Sequence, residues 1–171
     1  MPLAYLSGMV PFHSQWKCLD MSKDICYFGI RSYEEEEEAL IKEKNVLVFE
    51  AAKCTEENID QIENDLDVYF NQKDKKYWIS FDIDAVDSNE FEATGTAEDQ
   101  GLTLDFVESF LERMTRRTVG MDLTEVNFEL SPNAHSRLTD EQTFRYLFEL
   151  ICHNVNEPVY EDSYYHVPKQ A

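Results

Sequence analysis

The feature that most constrains this chain is a regular alternation of short apolar runs with amphipathic stretches at helical spacing. Residues 24–30 (DICYFGI), 45–51 (NVLVFEA), 77–84 (YWISFDID) and 119–126 (VGMDLTEV) are each short, apolar and rich in β-branched or aromatic side chains, as buried strands are. Helical signals separate them. Ser32 with Glu35 reads as a capping box for a helix reaching about Lys44. Thr55 precedes Ile59, Ile62, Leu66 and Phe70 at helical spacing, and Thr103 precedes Phe106, Phe110, Leu111 and Met114 on one face. Thr139 with Gln142 reads as another capping box, opening a helix that carries Phe144, Leu147, Phe148 and Ile151. Strand and helix repeated four times predict βαβ units and a parallel sheet covered on both faces. One domain over residues 1–157 is expected, followed by a polar, tyrosine-rich tail at 158–171.

Composition narrows the partners. With 43% hydrophobic residues over 171 positions, one substantial core is within reach. The net charge of −20 repels phosphate backbones and anionic lipid, so neither nucleic acid nor a membrane is an expected partner. It tolerates cationic ligands, although solubility is the plainer reason for such acidity. No apolar run approaches the ~20 residues of a membrane helix. Cys18, Cys26, Cys54 and Cys152 show neither a CxxC pair nor zinc spacing. Cys26 and Cys152 read as core thiols, and the compartment as reducing and cytoplasmic.

In open α/β sheets ligands bind at the carboxyl ends of the strands, and two strands here end in acids. The third carries Asp82 and Asp84, with Asp87 beyond; continued extended backbone would project Asp82 and Asp84 side by side, where repulsion favours a divalent cation between them. The fourth carries Asp122 and Glu125. An isolated D-x-D is a weak motif, and strand-end acids commonly cap the following loop.

The longer strings around these acids resemble a known family. Ser80-Phe81-Asp82-Ile83-Asp84-Ala85-Val86-Asp87, then Ala93-Thr94-Gly95-Thr96, then Gly101-Leu102-Thr103, resembles the S-x-D-x-D-x-x-D-P, T-G-T and G-G-L-T signature of the arginase/agmatinase/formiminoglutamase ureohydrolases. Gly120-Met121-Asp122-Leu123-Thr124-Glu125-Val126-Asn127 is similar to the family's D-x-x-E-V-N-P strand end, and Tyr27-Phe28-Gly29-Ile30-Arg31 to its Y-I-G-[LI]-R strand. The resemblance implies a three-layer αβα fold with a mostly parallel sheet, here partial. It also implies two manganese ions bridged by a hydroxide that attacks the guanidino or amidino carbon of a small cationic substrate such as arginine. Asp82 would bridge the metals, Asp84 would chelate one, and Glu125 would pair with the substrate guanidinium. Thr96 would lie near the substrate, and Asp122 matches an acid close to the site. Glu34, in the run Glu34–Glu38, stands where arginases hold acids near the substrate amino group; the same run suits a helix first turn.

The departures are as specific. The family's G-G-D-H and D-A-H-x-D segments, which carry its other metal ligands, have no counterpart here, and Met1 falls just after the place of D-A-H-x-D. The S-G-N-x-H loop reads Ser7-Gly8-Met9-Val10-Pro11, with His13 two residues later. Ser88, Glu92 and Phe128 replace prolines, and Gln100 replaces a glycine. The expectation is therefore a truncated arginase-like hydrolase, inactive alone, with no catalytic acid/base residue assigned. The alternative is a non-catalytic homologue serving as an interaction or regulatory module. Uncovered sheet surface would favour a homo-oligomer or association with a full-length relative.

Overall fold

The computed structural model describes residues 2–10, 17–73 and 75–155. Helix α1 (Pro2–Leu6) and the single turn α2 (Met21–Asp24) precede β1 (Cys26–Ile30). Then follow α3 (Glu35–Lys44), β2 (Leu47–Glu50), α4 (Ile59–Tyr69), β3 (Tyr77–Asp82), α5 (Leu104–Met114), β4 (Thr118–Thr124) and the long α6 (Ala134–Val155). All four expected strands form, each within a residue or two of its apolar run. Residues 158–171, expected to be a tail, lie outside the described residues, as do Pro11 and His13.

Every ladder is parallel, but the four strands do not make one continuous sheet. β1 pairs with β2 and β3 with β4, and no ladder joins the pairs among the described residues. The expected single four-stranded sheet is thus two two-stranded ribbons. One apolar core nevertheless unites them. Ile62 and Leu66 of α4, Phe106, Val107, Leu111 and Met114 of α5, and Leu147 of α6 pack against Phe49, Phe81 and Ile83. Phe28 of β1 stacks on Phe49 at 4.6 Å and meets Phe110 at 4.9 Å. Leu66, only 1% exposed, contributes on the order of 2 kcal/mol by burial alone. Helix α3 adds nothing to this core; none of its residues is buried.

The caps correct the sequence reading in detail. The first helix is capped by Glu34, with the Glu37 carboxylate accepting from the Glu34 amide at 3.1 Å, rather than by Ser32 and Glu35. It ends as expected, on Asn45 in the left-handed region (φ 52°). Thr55 stands at the start of a 3-10 turn (Glu56–Asn58) that leads into α4, but its side chain makes no capping bond there. Thr103 is a true cap, its Oγ1 accepting from Phe106 N at 3.1 Å. Thr139 caps nothing: it sits inside α6, donating to His135 O, while Asn133 Oδ1 accepts from His135 N and Ser136 N. An Asn six residues upstream outcompetes the Thr because its side-chain carbonyl reaches two free amides. Among the thiols Cys54 is the buried one; Cys26 and Cys152 are half-buried. Burial still pushes the Cys26 thiol up to about 12.

Candidate active site

The register of β3 on β4 decides which side chains share a face. Ser80 lies opposite Asp122 and Asp82 opposite Thr124, while Ile79 and Phe81, opposite Met121 and Leu123, point into the core. Trp78, Ser80 and Asp82 therefore line the other face, which the core helices leave open. Trp78 is 64% exposed there, and Val119 on β4 is 63% exposed. Asp122 lies two residues inside β4, and both its oxygens are engaged. Trp78 Nε1 donates to Oδ2 at 2.6 Å and Ser80 Oγ to Oδ1 at 2.7 Å. Its place in the structure is a clasp between β3 and β4, upstream of the strand ends.

The strand ends bring other acids together. β3 stops at Asp82 and the chain turns at once into a 3-10 turn, Ile83–Ala85, so Asp84 reaches its position from a turn and not from extended backbone. Ile83, fully buried, anchors that turn. Loss of solvent at the strand end pushes the Asp82 carboxyl up to about 6. The like charges of Asp84 and Glu125 add to the effect, and a hydrogen bond from the Asp84 amide opposes it in part. Three carboxylates thus share one neighbourhood at the carboxyl ends of β3 and β4.

Glu125 stands just past β4 with φ 63°, left-handed backbone that a non-glycine residue adopts at some strain. Val126 then bridges antiparallel to Thr94, and Asn127 N donates to Ala93 O at 2.8 Å. These contacts tie the Ala93–Thr96 turn to the end of β4. Thr94 is buried there, its hydroxyl without a partner, and Thr96 is exposed two residues on. Glu34 is exposed at the start of α3, on the connection leaving the carboxyl end of β1.

Arg31, quoted in the sequence only as the end of a strand motif, fixes the site's floor. Its guanidinium donates to the carbonyls of Asp84 (2.6 Å), Glu98 (3.2 Å) and Val86 (3.5 Å). Three carbonyl acceptors on one fork suit the fixed donor geometry of Arg. Gly101 packs beneath it: a Cβ there would fall 2.5 Å from Arg31 Nη1 and 2.5 Å from the Asp87 amide. The signal that could have marked Arg31 was a lone basic residue at a strand's carboxyl end opposite a cluster of acids.

The carboxylate oxygens of Asp82 and Asp84 suit a hard or borderline divalent ion. The set is incomplete, however. Among the described residues no group of three or more His, Cys, Asp or Glu side chains is placed to hold a metal. Two carboxylates do not constitute a binuclear manganese centre, and no chemical step follows through a metal from these residues alone.

The chain is similar to known proteins along most of its length. The chain is 31% identical over 137 residues to an arginase of Coccidioides immitis (strain RS), a match covering 74% of this chain and 42% of the relative. It is 32% identical over 118 residues to the N(1)-aminopropylagmatine ureohydrolase of Thermus thermophilus, covering 67% of this chain and 37% of the relative. Among solved structures, Entamoeba histolytica arginase in complex with L-ornithine superposes with a TM-score of 0.70 at 26% identity, covering 86% of this chain and 51% of that one. Helicobacter pylori arginase gives 0.67 at 25% identity, covering 75% and 42%. The chain thus spans about two fifths to half the length of these relatives. The fold is the arginase-like αβα arrangement in partial form, and no described helix is long and apolar enough to cross a membrane. Residues 2–153 match the arginase family, and the chain belongs to it.

Proposed function

We propose that this chain is the carboxylate-bearing part of a manganese-dependent ureohydrolase acting on a small cationic guanidino substrate such as arginine, and that it is silent on its own. The observation that carries the reading is the gathering of Asp82, Asp84 and Glu125 at the carboxyl ends of adjacent parallel strands, in a chain of the arginase family. In this reading Asp82 and Asp84 hold metal, and the ions when bound supply a hydroxide at neutral pH. Glu125 receives the guanidinium by a charge-assisted contact, with Thr96 and Glu34 at the substrate's periphery. Asp82, its carboxyl held at about 6, is eased by any cation that lies between it and Asp84. Residues 1–157 act as the partial domain and 158–171 as its tail. Four free cysteines, with no disulfide among them, suit a reducing cytoplasm.

The test is urea release from arginine and from agmatine in the presence of manganese. The pure chain is expected to release none. The chain mixed with the N-terminal portion of the Coccidioides arginase is expected to release urea, and D82N to abolish it. Turnover by the chain alone at the rate of a full-length enzyme, or silence in the formed complex, overturns the reading.

A further inference from the structure

We infer that Asp140 of α6 is a positioning residue for the candidate site, holding together the two loops that carry Thr96 and Glu125.

Asp140 is a buried acid, 3% exposed, and it lies on α6, away from both strand-end motifs in sequence. Each of its oxygens takes one loop. Oδ1 accepts from the Glu92 amide at 3.0 Å, one residue before the Ala93–Thr96 turn. Oδ2 accepts from Ser131 Oγ at 2.7 Å, just past the 3-10 turn Phe128–Leu130 that follows β4. The two loops also meet each other, since Asn127 N donates to Ala93 O at 2.8 Å. The ties form a closed ring: Asp140 to Glu92, along the chain to Ala93, across to Asn127, through the turn to Ser131, and back to Asp140. Glu125 enters this ring two residues before Asn127, and Thr96 leaves it three residues after Ala93. Left-handed backbone at a non-glycine residue persists where its surroundings over-determine it. The ring supplies that constraint for Glu125, at φ 63°.

The ties to α6 coincide with the departures from the family signature. Glu92 stands where the signature has proline, and proline has no amide hydrogen to give Asp140. Phe128 replaces a second proline, and its ring meets Phe144 of α6 edge-on at 5.6 Å. Ser88 replaces a third, and its amide donates to Glu98 O at 3.1 Å. Where proline would restrict the backbone covalently, this chain ties the same loops by contacts, two of the three to α6. Overall stability is a poor account of Asp140. Arg137, one turn away, is engaged by Glu129 and Glu141, and no basic side chain pairs with Asp140 among the described residues. Burying a carboxylate against neutral donors costs free energy that their bonds at best offset. What the carboxylate gives is geometry, two fixed acceptors on one rigid helix.

What Thr96 and Glu125 do once placed rests on the hydrolase reading; that Asp140 places them does not. The test compares the whole chain with D140A, D140N and S131A by amide exchange and by the carbon shifts of Glu125, which report its left-handed backbone. In D140A the Asn127 amide is expected to exchange about tenfold faster, the loss of roughly one hydrogen bond. Leu66 in α4 should keep the parent rate, and the Glu125 shifts should leave the left-handed range. D140N, whose side chain still accepts from Glu92 and can donate to Ser131, should restore both readouts. S131A, which removes one tie and no charge, should speed Asn127 in the same direction, and carries the test should D140A not fold. Unchanged Asn127 exchange and Glu125 shifts in D140A or S131A overturn the proposal. So does equal acceleration of Asn127 and Leu66, which would make Asp140 a stability residue only, or a D140N that behaves as D140A. Silence of the formed complex with the Coccidioides portion removes the hydrolase reading and leaves the role of Asp140 standing.

Discussion

Replacing Asp82 by Asn is expected to stabilise the fold while destroying the candidate site, and the size of the gain follows from the site's electrostatics. A carboxyl that ionises at about 6 in the folded chain, against an ordinary value of 3.8, keeps its proton longer folded than unfolded. The folded state then binds more protons than the unfolded state between those values, so stability falls as pH rises through that window, and the full penalty is present above it. Such a displacement corresponds to about 3 kcal/mol at most, at about 1.36 kcal/mol per pH unit. The side chain is open to solvent on one side, and screening reduces the figure to about 1 kcal/mol. Asn keeps the shape and removes the charge that Asp84 and Glu125 repel.

Urea denaturation of the parent and D82N between pH 5 and pH 8 measures this directly, staying above the sequence pI of about 4.4. The D82N advantage should grow between pH 5 and about pH 6.5, then hold at about 1 kcal/mol. Removing any one of 35 acidic residues relieves some general repulsion. Glu57→Gln, at an exposed position before α4, controls for that and should give a smaller, pH-independent change. An advantage that does not vary with pH, or one that E57Q shares in full, refutes the argument that local crowding of carboxylates strains this site.

Two other substitutions test the scaffold. Arg117 is buried, donating to Asp67 at 2.6 Å and to the Tyr77 hydroxyl at 2.8 Å; burial opposes its charge, and these partners outweigh that opposition. Arg117→Met should destabilise by about 2–3 kcal/mol, below the full value for a buried pair because Asp67 can rehydrate; an unchanged urea midpoint contradicts this. Gln100 occupies left-handed backbone at φ 64°, where the family signature has glycine. Gln100→Gly should raise the midpoint by the equivalent of about 0.5–1 kcal/mol, the relief of strain exceeding glycine's added entropy; a lower midpoint would show that the side chain has a role of its own.

The expectations that held rest on periodicity, which is a local property. Ile62 and Leu66 recur at helical spacing because one face of α4 is buried, and both are buried. The parallel pairing followed from the strand–helix–strand order, since parallel strands need a crossover connection. Asp82 was legible for a different reason, as a charge at the end of an apolar strand.

What was not legible depends on contacts distant in sequence. Asp84 sits in a turn because Ile83 is buried beneath it, and Arg31 holds that turn from a residue 53 positions away. Asp122 reads like Asp82 in sequence, yet Trp78 and Ser80 occupy both its oxygens, a role set by the register of β3 on β4. The break between β1 and β3 was hidden for the same reason. Apolar alternation states that a strand is buried but not which strand lies beside it, so four strand signals in a row do not say which of them pair. Arg31 therefore ties the two ribbons where no ladder does: its guanidinium reaches from the end of β1 to the carbonyl of Asp84 and fixes the turn on which the carboxylate cluster depends.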